Sequence, residues 1–240
     1  MTTGALAGRR ALVTGASRGI GAAIVRALAA EGARVAAVAR GAEGLEAVID
    51  PLGAGHCAIT ADVTTDAGIA AIAHTALAWG GDAPDIIVNN AGIFPRARMD
   101  AQGAGEFART LALNLEAPFR VVHAFLAAMR ARGSGDVVTI GSVADRHSYP
   151  ENAAYSASKY GLRAMHEVLR AETRGSGVRA ILVSPGPVDT DIWEPHAEHL
   201  GTRLPARTAM LRADDVARCV CFAVCQPAGV DVEELRLSRS

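Results

Sequence analysis

The stretch that decides the fold is Ala-Leu-Val-Thr-Gly-Ala-Ser-Arg-Gly-Ile-Gly, residues 11–21. It joins a short apolar run at 11–13 to a glycine-rich turn, and apolar residues with helical spacing continue through 20–30. The glycines at 15, 19 and 21 permit a tight turn and close packing of the helix on the strand. A strand that turns directly into a helix in this way is typical of α/β proteins.

The same alternation continues along the chain. Runs too short for helices are separated by longer segments with helical periodicity, which indicates parallel strands joined by right-handed helical crossovers. We therefore predict an α/β fold with one doubly wound, Rossmann-like parallel sheet. Ligands of such sheets bind at the carboxyl ends of the strands. The predicted strands are 11–13, 35–38, 86–88, 137–140 and 180–183, and the predicted helices are 20–30, 68–79, 107–130 and 155–174.

Composition and charge narrow the class of protein. The chain has 240 residues, half of them apolar, and a net charge of −1 from dispersed charged residues. It has no basic block of the kind that binds nucleic acid or a membrane surface. No signal-type stretch precedes Arg9, and no run approaches the roughly 18 apolar residues of a membrane span. We expect a single domain, residues 1–240, in the cytoplasm, with no nucleic-acid or membrane partner.

Three of the four cysteines, Cys219, Cys221 and Cys225, lie close together in an apolar segment with a helical pattern. The spacing could serve a metal ion, but no histidine is near, and buried thiols that act as small apolar side chains are the favoured interpretation. We predict no metal site and no disulfide.

The glycine-rich turn is a candidate phosphate site, because backbone N–H groups at the start of a helix bind pyrophosphate. Its spacing, Gly-x-x-x-Gly-x-Gly, departs from the common Gly-x-Gly-x-x-Gly, and alone it could be only a strand-to-helix connection. No acid follows the second strand to bind an NAD ribose, whereas Arg18 and Arg40 could bind a 2′-phosphate. The sequence favours NADP(H), although both arginines could also be ordinary surface residues.

Four further motifs follow in order: Asn89-Asn90-Ala91-Gly92 after a central strand, Asn114 within a long helix, Ser142 after the next strand, and Tyr155-Ser156-Ala157-Ser158-Lys159. Together with the turn, they resemble the short-chain dehydrogenase/reductase family, in its single-domain branch, over about residues 9–190. The resemblance implies a catalytic set of Asn114, Ser142, Tyr155 and Lys159. It also implies cofactor contacts from Gly15, Ser17, Arg18, Gly19, Ile20, Gly21, Arg40, Asp62, Val63, Asn89, Ala91, Gly92, Ile140, Tyr155, Lys159, Pro185, Gly186, Val188 and Thr190.

Single residues of this set also have structural interpretations. Asp62 could cap the next helix, and Pro185 could simply end a strand. A tyrosine on an amphipathic helix is usually a core or interface residue, and a lysine four places on is usually solvated.

Tyr155 and Lys159 are nevertheless suited to acid–base chemistry. At i and i+4 they share a helix face, so an ammonium group near the phenol can lower its pKa from about 10. Together with the family resemblance, this pair implies an enzyme that interconverts a carbonyl and a secondary alcohol, with the hydride supplied by the nicotinamide and the proton by Tyr155. Ser142 would hydrogen-bond the same oxygen. By resemblance, Lys159 would also hold the nicotinamide ribose, and Asn114 would carry a water that links Lys159 to solvent.

The substrate is not specified beyond a small carbonyl or alcohol. Pocket candidates are Ile93, Phe94, Arg96, residues 143–149 and residues 191–204, in and around a substrate loop at about 190–207. The ending at 232–237 reads as a last strand and is similar to that of relatives acting on 3-hydroxy acids and related polar alcohols. We expect a homodimer or homotetramer. Alternatives are a non-catalytic NADP-binding sensor or structural subunit, and an epimerase or dehydratase.

Overall fold

The strands form the predicted doubly wound sheet. The computed structural model describes residues 4–196 and 206–240, apart from the side chains of residues 195 and 196. Seven parallel strands are ordered β3-β2-β1-β4-β5-β6-β9, and β7 and β8 form a separate parallel pair. The strands are β1 Arg10–Thr14, β2 Arg34–Ala39, β3 Cys57–Thr60, β4 Ile86–Asn89, β5 Gly135–Ile140, β6 Val178–Pro185, β7 Val188–Asp189, β8 Leu211–Arg212 and β9 Glu234–Leu237.

Helices cover both faces of the sheet. Side chains of β1 alternate between two apolar layers: Ala11 and Val13 pack on one face, and Leu12 packs on the other. Helices α1, α2 and α7 contribute to the first layer, and α3, α5 and α6 to the second. The helices are α1 Gly19–Ala30, α2 Ala42–Ile49, α3 Asp66–Gly80, α4 Ala104–Leu111, α5 Ala117–Arg132, α6 Ala153–Thr173 and α7 Ala213–Val224.

Several elements differ from the sequence prediction. The sequence predicts neither α2 nor β3, because both are short and β3 is the edge strand of the sheet, in which only Ile59 is buried. The predicted helix 107–130 is two α-helices joined by a π-helical turn, Ala112–Glu116. Cys219, Cys221 and Cys225 are half-buried rather than buried. The substrate loop begins with a 3-10 helix, Asp191–His196, whereas its part at 197–205 lies outside the described residues.

The segment Ala104–Arg132 is long and apolar enough, by length and mean hydropathy, to cross a membrane. Apolar runs alone therefore do not exclude a span here. In the structure its α5 part lies against the sheet with Val121, Phe125 and Met129 buried in the second apolar layer. These are the contacts of a core helix.

The amino-terminal ends of the strands are joined by ion pairs. Asp136, at the start of β5, is 1% exposed and lies 2.6 Å from Arg9 and 2.5 Å from Arg179. Beside it, Arg10 lies 3.0 Å from Asp85, which also accepts the backbone N–H of Arg10 at 2.8 Å. Because both of these carboxylates have basic partners, the charges at this end of the sheet are compensated.

Candidate active site

The glycine-rich turn connects β1 to α1 at the switch point of the sheet, where β1 has β2 on one side and β4 on the other. Gly15 has φ of +65°, and a Cβ there would lie 2.8 Å from Ala91 Cα. A Cβ on Gly21 would lie 2.2 Å from the Gly15 carbonyl oxygen. Only glycine fits these two positions, so the helix starts close against the strand ends.

The amino-terminal end of α1 suits an anion. Its N-cap residue, Arg18, makes no side-chain capping hydrogen bond, and the first turn holds no acidic residue. The backbone N–H groups and the helix dipole are therefore available to a phosphate. Ser17, Gly19 and Ile20 all lie in this turn, and a Cβ on Gly19 would lie 3.3 Å from Thr190 Cγ2 across the cleft.

Asn90 fixes the turn, a role that the sequence analysis did not assign to it. Its side-chain amide donates to the carbonyl oxygens of Thr14 (3.0 Å) and Gly15 (3.1 Å), and its backbone N–H donates to Thr14 Oγ1 at 3.0 Å. The backbone N–H of Ala91 donates to the same hydroxyl at 3.2 Å. The signal in the sequence was the paired asparagines, of which only the first was selected.

That first asparagine, Asn89, is 3% exposed at the carboxyl end of β4. Neither its side-chain oxygen nor its nitrogen has a hydrogen-bond partner among the described residues. A buried amide without partners is costly, so this position suits a polar ligand that approaches the strand ends. With the uncapped helix end beside it, the region fits a dinucleotide.

Arg18 and Arg40, the two arginines predicted to bind a 2′-phosphate, lie near the ends of the first two strands. Arg40 directly follows β2 and is exposed, and the Arg18 side chain is 72% exposed with Nη1 3.8 Å from Asp191 Oδ2. Asp62 accepts from the N–H and hydroxyl of Thr64 at 2.9 and 2.7 Å. These hydrogen bonds, and to a lesser degree Arg40, lower the pKa of Asp62.

Asp62 does not cap α3. Thr65 does so, since its hydroxyl accepts the N–H of Gly68 at 3.0 Å. Val63, an expected adenine contact, is 6% exposed and packs in the second apolar layer.

Asn114 lies in the π-helical turn and is 1% exposed. Its amide nitrogen donates to the Ile93 carbonyl (2.9 Å) and to Ser158 Oγ (3.1 Å), and its oxygen accepts the Ile93 N–H at 2.9 Å. A Cβ on Gly92 would lie 3.2 Å from that oxygen. The turn thus ties the loop after β4 to helix α6, which carries Tyr155.

Ser142, Tyr155 and Lys159 come together at the carboxyl end of β5. Ser142 begins a 3-10 turn, and its hydroxyl accepts the Ala144 N–H at 3.1 Å. The Ser142 hydroxyl acts on the Tyr155 hydroxyl and lowers its pKa against the larger effect of burial. Lys159 Nζ lies 5.7 Å from the centre of the Tyr155 ring and donates to the Ile140 carbonyl at 2.9 Å. A phenol, a hydroxyl and an ammonium group therefore lie close together at this end of the strand.

Burial is the largest cause of the pKa shifts of Tyr155 and Lys159. It raises the pKa of Tyr155, the Ser142 hydroxyl opposes that shift, and the Asp145 carboxylate adds to it. Burial lowers the pKa of Lys159 to about 8, and Asp145 opposes that shift. The spacing of Tyr155 and Lys159 predicts that the lysine lowers the pKa of the phenol. In the protein alone the shift runs the other way, because a buried phenolate loses its hydration.

Lys159 also carries a signal that the motif search did not use. The chain contains 24 lysine and arginine residues, and Lys159 is the only lysine among them. An arginine keeps its charge at every accessible pH, whereas a lysine can lose its proton when it is buried. A sequence that uses arginine everywhere else and lysine here points to this position.

The loop after β6 lies on the other side of the cleft. Pro185 is the last residue of β6 and is buried, and the Gly186 N–H donates to the Leu237 carbonyl at 2.8 Å. Val188 pairs with Leu211 in the two-stranded sheet. The loop therefore faces the glycine-rich turn through Thr190.

The residues predicted to line the substrate pocket separate into two groups. Phe94 contacts Tyr155 and Trp193 edge-on, with ring centres 4.7 and 5.0 Å apart, so aromatic side chains line the cleft beside the phenol. The arginines are engaged elsewhere: Arg96 bonds Glu151 at 2.7 Å, and Arg146 lies 2.5 Å from Glu234. His147 is exposed, and Ile93 serves the Asn114 contacts described above.

A doubly wound sheet with a glycine-rich turn and a Ser-Tyr-Lys cluster at one edge defines a Rossmann-like oxidoreductase. Residues 9–201 match the short chain dehydrogenase family. The D-threitol dehydrogenase of Mycolicibacterium smegmatis is 36% identical over 233 residues, 94% of this chain and 89% of that protein. The chain belongs to the short-chain dehydrogenase/reductase family, whose members are oxidoreductases that use a nicotinamide cofactor.

Two further comparisons agree. The glycine betaine reductase ATRR of Emericella nidulans is 35% identical over 238 residues, which is 97% of this chain but 19% of that protein. The chain thus spans about a fifth of that relative's length. A metagenomic short-chain oxidoreductase in complex with NADP is 34% identical, with a TM-score of 0.83 over 98% of this chain and 99% of that one. The family and fold predictions are confirmed.

Proposed function

We propose that this protein is an NADP(H)-dependent oxidoreductase that interconverts a carbonyl and a secondary alcohol on a small organic substrate. The observation that carries the proposal is the cluster at the carboxyl end of β5, where the Ser142 hydroxyl lowers the pKa of Tyr155 against the larger effect of burial and the Lys159 ammonium group lies 5.7 Å from the centre of the Tyr155 ring. In this arrangement, one oxygen of a substrate can receive hydrogen bonds from two hydroxyl groups beside a positive charge.

Residues at the strand ends would hold the cofactor. The turn at 15–21 would bind the pyrophosphate, Asn89 would offer its unpartnered amide, and the loop at 185–190 would bind the nicotinamide end. Asp62 and Val63 would lie on the adenine side, with Ala91 and Gly92 along the adenosine and Ile140 beside the nicotinamide. When bound, the nicotinamide supplies or accepts the hydride, so the protein must orient the carbonyl and move one proton.

Tyr155 would provide that proton. In the reducing direction its O–H bond breaks as the new O–H bond forms on the substrate oxygen, and the phenol is later reprotonated from solvent. Ser142 would donate to the same oxygen and stabilise the negative charge that develops there. Lys159 would hold the ribose and favour the phenolate electrostatically. Asn114 would keep the loop after β4 and helix α6 in register through Ile93 and Ser158.

Preference for NADP(H) rests on Arg18 and Arg40. Both guanidinium groups are exposed near the strand ends where the adenosine would lie, and β2 ends without the carboxylate that would repel a 2′-phosphate. The metagenomic neighbour is described as an NADP complex. We further propose a small carbonyl or alcohol substrate, a cytoplasmic location, and a homodimer or homotetramer.

The test follows oxidation of NADPH at the nicotinamide absorbance against ketones, 3-oxo acids, diketones and quinones. With a productive substrate, Tyr155→Phe should lose about 1,000-fold in turnover and still bind NADPH. Tyr160→Phe, on the exposed face of the same helix, is the matched control and should keep full turnover. Binding of NADPH without turnover of any substrate in either direction would instead favour a non-catalytic sensor.

A further inference from the structure

A buried carboxylate lies beside the candidate catalytic residues. Asp145 is 1% exposed and ends the 3-10 turn that Ser142 begins, with its backbone N–H donating to the Ser142 carbonyl at 2.9 Å. The Ser184 hydroxyl donates to Asp145 Oδ2 at 2.5 Å. The motifs that identified the site do not include this residue.

The absence of a side chain at Gly141 leaves room for the Asp145 carboxylate. A Cβ on Gly141 would lie 2.6 Å from Ser184 Oγ and 2.9 Å from Asp145 Oδ2, so a larger residue at 141 would displace the pair. Gly141 directly follows Ile140, whose carbonyl accepts the Lys159 ammonium group. The Asp145 carboxylate therefore lies against Gly141, the residue that follows the anchor of Lys159.

The charge of Asp145 is only partly compensated. Arg146 Nε lies 3.4 Å from its Oδ1, but the same guanidinium lies 2.5 Å from Glu234 of β9, so it is shared. Arg163 of α6 also lies 3.9 Å from Glu234. The charged and titratable groups near Asp145 are thus Arg146 on its own turn and Tyr155 and Lys159 on α6, together with the Ser184 hydroxyl on β6. Glu234 on β9 is linked to Asp145 through Arg146, and Arg163 on α6 is linked through Glu234.

We propose that Asp145 is a positioning residue whose buried negative charge holds the protons on Tyr155 and Lys159 and so sets the pH range of the reaction. The proposal rests on the proposed function for its catalytic meaning. A negative charge favours the neutral phenol over phenolate and the ammonium over the amine, and it acts strongly in a buried, weakly polarisable site. Without it, Lys159 would lose its proton more readily on burial.

The Asp145 carboxylate shifts the pKa values of Tyr155 and Lys159 in the same direction. The carboxylate raises the pKa of Tyr155 and of Lys159. Removing it should lower both apparent pKa values of the coupled pair, because every deprotonation then leaves less negative charge in the site. A carboxylate with a purely structural role would leave these values in place.

The single lysine makes a direct measurement possible. Protein labelled with ¹³C-lysine gives one side-chain signal, from Lys159, whose titration needs neither substrate nor cofactor. Wild-type protein should titrate at a pKa of about 8. Asp145→Asn should lower the midpoint by about one pH unit or more. Asp145→Ser, which is smaller and keeps a hydroxyl partner for Ser184, is the second variant and should shift it likewise.

Two controls separate charge from structure. Asp136→Asn removes an equally buried carboxylate at the other end of β5 and should leave the midpoint unchanged. Ser184→Ala removes the hydrogen bond but keeps the charge, so its midpoint should stay close to wild type. A midpoint in the Asp145 variants equal to wild type, or shifted as far by Asp136→Asn, would overturn the proposal even if the protein is an active reductase.

The pH dependence of the reaction rate tests whether the Asp145 charge affects catalysis. With a productive substrate, the pH at which reduction declines should be lower in Asp145→Asn than in wild type by the same amount as the lysine midpoint. A wild-type protein without turnover would refute the proposed function, whereas an unmoved lysine signal would refute only the role of Asp145.

Discussion

At the amino-terminal ends of the strands, the buried Asp136 carboxylate lies within 2.6 Å of two arginines. At the carboxyl-terminal ends, Asn89 is equally well buried, but neither of its side-chain polar atoms has a partner among the described residues. Burial there also lowers the pKa of Lys159 to about 8 and raises that of Tyr155. One end compensates its polar groups within the protein, and the other leaves them available to ligands.

This difference separates stability from chemistry along the same strands. Polar groups that are fully paired contribute to the native state, whereas unpaired or desolvated groups cost free energy and are retained for what they bind or transfer. Substitutions at the two ends should therefore have opposite profiles: loss of stability at the amino-terminal end, and loss of turnover at the carboxyl-terminal end.

The largest effect is expected at Asp136. Asp136→Asn should lower the free energy of unfolding by about 3 kcal/mol, because Arg9 and Arg179 lose a buried partner. Chemical denaturation at pH 7 measures this change, and turnover per folded molecule should stay near wild type. Asp100→Asn is the control: its pair with Arg98 is largely exposed, so the loss should be under about 1 kcal/mol. Equal losses in the two variants would contradict the comparison.

The next effect concerns the only lysine. Lys159→Arg keeps a positive charge but introduces a larger, planar group that cannot lose its proton, and turnover should fall about 100-fold. Steady-state NADPH oxidation measures it. Arg163→Lys, one turn further along α6, is the reverse exchange and should change turnover little. If Lys159→Arg retained full activity, charge alone would suffice at this site.

Between the two ends lies His166, two turns beyond Lys159 on α6. Burial, reinforced by Arg170, lowers its pKa to about 4, while its Nδ1 lies 3.0 Å from Thr139 Oγ1. Because the unfolded chain takes up this proton near pH 6.5 and the native state does not, stability should fall as the pH drops from 6.5 toward 4. The loss should reach about 2 kcal/mol between pH 7 and 5.

Denaturation of His166→Gln at the same pH values isolates that contribution. The variant should lose less stability than wild type over this interval. Parallel curves for the two proteins would show that other groups cause the acid sensitivity.

The smallest effect is expected at Arg40, at the carboxyl-terminal end of β2, where the cofactor would bind. Arg40→Ala should reduce the preference for NADPH over NADH by about tenfold, because a guanidinium bond to a phosphate is lost. Binding constants for both cofactors measure the ratio. Arg34→Ala, at the opposite end of β2, should leave the ratio unchanged, and an equal change there would argue against a role for Arg40.

The parts of the fold that sequence patterns predicted are those with strong local signals. Residues 11–21 fix the first strand, the turn and the first helix, and the apolar runs at 86–88 and 137–140 match central strands. The short α2 and β3 were not predicted, because eight and four residues give little periodicity and the sheet edge buries few side chains. The π-helical turn at Asn114 was also not predicted, and Asn114 pairs with Ile93, 21 residues earlier, a contact that no local pattern indicates.

The residues of the candidate site likewise divide into those that local sequence patterns predict and those that they do not. Ser142, Tyr155 and Lys159 are found by motif, and the structure brings them together. Asp145 and its neighbours are set by contacts between distant parts of the chain: Ser184 is 39 residues away, and Arg146 reaches Glu234 near the carboxyl-terminal end. No local pattern indicates that Asp145 is buried beside the site. Its role stays a prediction until the lysine titration is made.

The most direct test of the comparison is the free energy of unfolding of Lys159→Met at pH 7. Lys159 is 7% exposed, and the lowered pKa reflects the cost of its buried charge. Replacing it with an apolar side chain of similar length removes that cost. We predict stability equal to or higher than that of wild type. A loss of about 3 kcal/mol, as expected for Asp136→Asn, would contradict the account, because both ends of the sheet would then serve stability alike.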